Sequence, residues 1–150
     1  MRVLIQRVTE ASVISDGILT GAIRTGLVIL LGIEQADETT DADWLVNKIT
    51  GLRIFSDAEG KMNLSICDVE GDILLVSQFT LHASYQKGNR PSFIRSAKPE
   101  KALPLYNYFR DGLTNIMGKQ IPSGVFGADM KLHLINDGPV TIWMDSRNRE

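Results

Sequence analysis

Hydrophobic positions change their rhythm several times along this chain, and each change marks a different element. Arg2–Val8 and Ala11–Ser15 alternate or run apolar with β-branched residues, and Asp16–Gly17 supplies a turn before Ile18–Arg24. Leu27–Ile33 (LVILLGI) is a continuous apolar run of strand length, the pattern of a strand buried on both faces. The opening quarter reads as a β-meander. The spacing then lengthens to three and four at Trp44, Leu45, Lys48, Ile49 and Leu52, which predicts a helix over roughly Thr40–Gly51. Thr39 or Thr40 offers its N-cap, with Asp41 and Asp43 where acids favour the helix dipole.

Leu52–Phe55 suits a short strand before the turn Asp57–Gly60, and Ile73–Phe79 suits a second buried strand. Tyr85–Pro99 has little periodicity and reads as a long ordered loop. Leu103, Leu105, Tyr106, Phe109, Leu113 and Ile116 share one helical face within Lys101–Met117. Ile121–Phe126, Met130–Asn136 and Pro139–Asp145 read as closing strands. The fold class expected is α/β: two packed mixed β-sheets, or a flattened β-barrel, with two outer helices. A chain of 150 residues makes one domain, 1–150, with Asp145–Glu150 as a polar tail.

Composition narrows the field. With 43% hydrophobic and 23% charged residues, the chain can build a core without metal or disulfide staples. Cys67 has no partner for an internal disulfide, which fits a reducing compartment. The segment MRVLIQRVTEASV lacks the apolar core and cleavage site of a signal peptide, and no apolar run nears the roughly 18 residues that span a membrane. The expectation is a soluble, cytoplasmic protein. A net charge of −2 argues against indiscriminate nucleic-acid binding, so any RNA contact must come from a local patch. The basic region is KGNRPSF (Lys87–Phe93) with Arg95, Lys98 and Lys101, opposed only by Glu100. It suits phosphate contact, and equally a solvated loop.

Two short stretches carry the chemistry. SQFTLHA (Ser77–Ala83) puts Ser77, Gln78 and Thr80 directly after the apolar run Ile73–Val76, where a buried strand reaches the surface. Hydroxyls and an amide beside unbonded backbone N–H groups can polarise an ester carbonyl and hold the negative oxygen of a tetrahedral intermediate. The bland alternative is a polar strand end satisfying its own backbone. NDGPVT (Asn136–Thr141) joins Gly138 to Pro139, a junction that can bring bare backbone close to a ligand. His82 and His133 are not arranged with Cys or Glu at metal-ligand spacing, and no GxSxG elbow, P-loop or GxGxxG is present. No metal or organic cofactor is implied.

SQFTLHA and NDGPVT together resemble the signature pair of the D-aminoacyl-tRNA deacylases, hydrolases that remove D-amino acids wrongly esterified to tRNA. RVTEASV, GLVILLGI, KITGLRIF, GKMNLS, KGNRPSF and FGADM fall in the same family's order, so the likeness runs from Met1 to Met144. The resemblance implies a catalytic cluster of Ser77, Gln78, Phe79 and Thr80. It implies a homodimer in which Gly138 and a cis Pro139 of one subunit enter the partner's site, braced by Arg7. Their carbonyls would occupy the space an L side chain needs and leave room for a D side chain. Glycine has nothing to clash, so glycine misattached to tRNA is an expected substrate as well. Phe126 and Met130 would receive the terminal adenosine, while Lys87, Arg90 and Arg95 would contact tRNA. Thr80 has no base in local sequence. The resemblance offers instead the ribose 2′-hydroxyl beside the ester as the group that activates water, with the protein orienting it. The alternative is a non-catalytic RNA- or nucleotide-binding module using the same pocket and loop. A weaker option is a general small-ester hydrolase that needs no adenosine.

Overall fold

The computed structural model describes residues 1–150 and places a curled mixed sheet against two helices. Strand β1 (Arg2–Ser15) is its spine. The N-terminal half pairs antiparallel with β3 (Gly26–Gly32), the C-terminal half with β2 (Ile18–Ile23), and its other edge along its length with β7 (Met130–Asp145). β6 (Asp72–Ser77) adds on the far side of β3, parallel to it. A parallel pair needs a crossover. That connection holds α1 (Thr39–Gly51) and a small separate hairpin, β4 (Phe55–Ser56) with β5 (Met62–Leu64). The second helix, α2 (Pro99–Met117), connects β6 back to β7 and packs on α1.

The period-two pattern of the strands sorts side chains onto two faces. Val3, Ile5, Leu27, Ile29, Leu31, Ile73 and Leu75 meet Leu45, Ile49, Leu105, Tyr106 and Phe109 of the helices in the main core of 23 buried residues. Val8, Val13, Val28, Leu74 and Val76 form a smaller cluster on the opposite face, inside the curl, flanked by Leu132 and Leu134. β3 is buried on both faces, as its unbroken apolar run requires.

Several boundaries differ from the sequence expectations. The polar pair Thr9–Glu10 does not split β1, because β7 pairs through Glu10. α1 takes Glu38 as N-cap, whose N–H donates to the Asp41 carboxylate at 2.9 Å, and Thr39 becomes the first helical residue. α2 begins at Pro99, since the missing N–H costs nothing in the first turn. Leu103 and Ile116 stay exposed, so the apolar face is narrower than expected. Ile121–Phe126 is not a strand; only Ser123 bridges Leu75 there.

The two closing strands are one strand interrupted by a bulge. Asn136 pairs with Val8 and Thr141 with Gln6, so five residue steps on β7 oppose two on β1. The excess residues arch out with Gly138 and Pro139 exposed at the crest and Val140 buried as an anchor. Asn136 closes the base: its amide donates to Arg7 O at 2.9 Å and Val140 O at 3.1 Å. Every peptide bond is trans, the Gly138–Pro139 link included, which corrects the cis expectation. The trans form is the ordinary one for X–Pro. Gly138 provides the change of direction with a φ of +111°, a region that favours glycine.

Candidate functional site

The pocket is built where β3 and β6 end together. Leu31 pairs with Ser77, and Gln78 N–H donates to Leu31 O at 2.7 Å as the last bond of the ladder. The chain then tightens into a single 3-10 turn, Phe79–His82. Its first bond runs from Leu81 N–H to Gln78 O at 3.2 Å, so the N–H groups of Phe79 and Thr80 precede it and have no acceptor within the turn. The Gln78 amide donates to the Thr80 hydroxyl, tying those side chains together. The turn lies flat on Gly32. A Cβ there would sit 2.9 Å from Gln78 O and 3.0 Å from Leu81 Cβ. Gly32 is thus a site residue that sequence reading missed, hidden as the last small residue of an apolar run.

Arg2 grips the far end of the turn. Its Nη1 donates to Leu81 O at 3.0 Å while its Nε pairs with Asp145 at 2.9 Å. His82 is sealed beneath the turn, with Nδ1 3.5 Å from a Glu34 carboxylate oxygen and no hydrogen-bond partner on either nitrogen. Burial, reinforced by the Arg2 charge, lowers its pKa against the opposing pulls of the Gly32 backbone and of Glu34. It takes no part in lining the cavity.

That cavity holds about 570 Å³, within the range of small-ligand sites. Ser77, Gln78 and Phe79 form one wall, and Phe126, Gly127, Ala128 and Met130 another. Ser77 and Gln78 of the polar cluster and the FGADM aromatic–thioether pair therefore share one space, whereas Thr80 is exposed outside its lining. Phe126 is set edge-on against Tyr106, with ring centroids 5.6 Å apart. Tyr106 is buried behind Phe126 in the main core and donates to Leu75 O at 3.2 Å; burial pushes its pKa up to about 12, so it stays neutral. Gly124 makes room for Met130, whose sulfur would be 2.3 Å from a Cβ at that glycine. Gly124 is a second residue that nothing in its neighbours singles out. The third wall is Phe93, Ser96, Ala97 and Lys98 from the long loop. Phe93 stands edge-on to Phe79 at 5.1 Å, and Ser96 Oγ donates to Phe79 O at 3.0 Å.

Lys87 and Arg90 are exposed on that loop and make no ion pair. Arg95 instead lies against Glu34, with its Nη2 at 2.9 and 3.0 Å from the two carboxylate oxygens. Partial burial opposes ionisation of Glu34, but the Arg95 hydrogen bonds and charge outweigh it and hold the carboxyl below its ordinary value.

Arg7, Gly138 and Pro139 lie elsewhere. Arg7 is buried, pairs through Nε with Asp137 at 3.1 Å and donates to Ile54 O. Its Nη2 would be 2.6 Å from a Cβ on Gly138, so the guanidinium lies beside the bulge, but its hydrogen bond goes to Ile54 O and not to the Gly138 or Pro139 carbonyls. Ser77 shares its register row with Leu31 and Val3, whereas the bulge sits beside Arg7 on the outer side of β1. Asp137, Gly138 and Pro139 are not among the residues that line the Ser77 cavity. A groove of about 580 Å³ on the open face of β1, β2 and β7, lined by Glu10, Ser12, His133 and Ile135, contains none of the expected site residues.

Comparisons with known proteins bear on the family and the fold. The sequence matches the D-Tyr-tRNA(Tyr) deacylase family over residues 4–145. It is 59% identical to proteins named D-aminoacyl-tRNA deacylase from Akkermansia muciniphila and from Phocaeicola vulgatus, over the whole of each chain. The structure superposes on that of c-Myc DNA Unwinding Element Binding Protein with a TM-score of 0.91 and 41% identity, covering 97% of this chain and 98% of that one. A probable eukaryotic D-amino acid tRNA deacylase, 18% identical, shares the fold with a TM-score of 0.80 over 95% and 97% of the two chains. With the family match spanning nearly the whole sequence and both signature stretches in place, the chain belongs to the D-Tyr-tRNA(Tyr) deacylase family.

Proposed function

We propose that this protein hydrolyses the ester bond of D-aminoacyl-tRNA and spares the L-aminoacyl form. The observation that carries the reading is the single cavity that faces Ser77–Phe79 toward Phe126 and Met130. The terminal adenosine packs on Phe126 and Met130, an aromatic face and a polarizable thioether. This delivers the ester to the start of the 3-10 turn, where the Phe79 and Thr80 N–H groups stabilise the developing oxyanion. The ribose 2′-hydroxyl activates the attacking water, while Gln78 and Thr80, already joined, orient the substrate. Lys87 and Arg90 contact phosphate.

Handedness comes from the Gly138–Pro139 bulge of a second copy. In one chain the bulge lines no part of the pocket, and its exposed backbone is stapled by Asn136 and abutted by Arg7. Main-chain oxygens placed in the space of an L side chain reject every L-amino acid by overlap, without reading the side chain itself. D side chains of many kinds are then accepted, and glycine is cleared too.

The c-Myc DNA Unwinding Element Binding Protein is named for binding DNA, which favours one second reading, a nucleic-acid-binding module without hydrolysis. Release of tyrosine from D-Tyr-tRNA under conditions where L-Tyr-tRNA survives separates the two. Binding without release supports the module, and equal loss of both esters defeats the stereochemical reading.

A further inference from the structure

Arg95 is half exposed, yet it points back into the protein rather than outward. Three N–H···O contacts join it to Glu34, at 2.9, 3.0 and 3.3 Å, and the Glu34 side chain is only 15% exposed. Glu34 follows directly on the end of β3, two residues beyond the Gly32 that bears the turn. Backbone bonds lace the same place: Gln35 N–H to Arg95 O at 3.1 Å, and Ala97 N–H to Ile33 O at 2.9 Å. On its other side Glu34 reaches His82, the last residue of the turn, at 3.5 Å. The loop residues flanking Arg95 are pocket wall: Phe93 and Ser96 touch Phe79 directly.

We propose that Glu34 is a positioning residue: its ion pair with Arg95 clamps the 84–98 segment onto the Phe79–His82 turn and so sets the pocket's width. Arg95 then serves the pocket and is not a phosphate ligand. This rests on the reading of the pocket as the hydrolytic site. A two-oxygen fork needs a guanidinium, so lysine at position 95 keeps the charge but not the clamp.

The clamp and a phosphate role predict opposite behaviour. If Arg95 binds phosphate, removing it raises KM and reduces the salt dependence of binding by about one contact, and Glu34→Gln tightens binding by releasing the guanidinium. If it clamps, Glu34→Gln, Arg95→Met and Arg95→Lys each lower the single-turnover rate on D-Tyr-tRNA by about tenfold. KM and salt slope then stay within twofold, and the Glu34→Gln/Arg95→Met double variant is no slower than either single one, because both remove the same contact. Hydrogen exchange of the ligand-free protein gives a readout independent of activity: Glu34→Gln accelerates exchange at Gln35, Ala97 and residues 84–98, and leaves β1 and β3 unchanged. Failure of the wild type to release tyrosine defeats the hydrolytic reading, while the exchange data still judge the clamp. Unaltered exchange, or tighter tRNA binding by Glu34→Gln at an undiminished rate, overturns the clamp.

Discussion

Arg2 and Arg7 stand five residues apart on the same strand and brace two different things. Arg2 holds Leu81 O, so the pocket turn is finished inside one chain: strand ladder, glycine floor, arginine grip and loop wall all come from the same copy. Arg7 lies beside a bulge whose crest faces solvent and lines neither of the two cavities described. The pocket can therefore do its chemistry with what it has, while the bulge has a shape and no object. On the proposed reading ester hydrolysis and chiral selection are separable in the fold, and a variant can lose one and keep the other.

Damage to the pocket end should be the most severe. Gly32→Val drives a side chain into Gln78 O and Leu81, displacing the turn. The rate on D-Tyr-tRNA falls by about 10²–10³, the cost of losing an oxyanion donor, while a melting curve shows the chain still folded. At the bulge end, Gly138→Ala meets both a φ of +111° and the Arg7 guanidinium. D-Tyr-tRNA hydrolysis persists, and discrimination against L-Tyr-tRNA drops by at least about tenfold, in keeping with a few kcal/mol of backbone strain shifting the wall. Phe126→Ala sharpens the pocket side: loss of a stacked base raises KM by about tenfold or more, with little change in the D/L ratio. Thr80→Ala leaves the rate within about threefold if, as proposed, the RNA hydroxyl and not the threonine activates water; a loss of several orders of magnitude would establish a covalent route.

The smallest effect concerns pH. His82 is buried, which lowers its pKa in the fold below the ordinary 6.5, so the unfolded chain takes up the proton first. Its contribution to stability is complete above about pH 6.5 and is lost as pH falls from there toward the folded-state value. His82→Gln should flatten the fall in Tm between pH 7 and 5.5 by an amount on the order of a few °C. An identical slope in both proteins would place the acid sensitivity elsewhere.

What could be read in the sequence was what is local. An apolar run ending in Ser77–Gln78 announces a strand reaching the surface, and the structure turns the chain there. Asn136, Gly138 and Pro139 mark a break, although a bulge within one strand looks from sequence like the gap between two. What was hidden depends on register. Gly32 matters because β3 and β6 end side by side, and Gly124 because Met130 folds across it. Glu34 matters because the loop returns Arg95 to the end of β3. None of these contacts leaves a trace in neighbouring residues. Ile121–Phe126 misled for a related reason: Ile121 fills the main core and Phe126 the pocket wall, with only the backbone bonds of Pro122 and Gly124 to Leu75 in place of a ladder.

The most direct test mixes subunits. Chains carrying Gly138→Ala, with a sound pocket and an altered bulge, are exchanged with an excess of Gly32→Val chains, whose pocket is ruined and whose bulge is intact. If the bulge serves the neighbouring copy, each working pocket in the mixture regains a normal wall, and L-Tyr-tRNA hydrolysis per working pocket falls back toward the wild-type level. If L-Tyr-tRNA is cleaved as fast as by Gly138→Ala alone, the bulge does not act across the dimer and chiral selection must reside within the single chain.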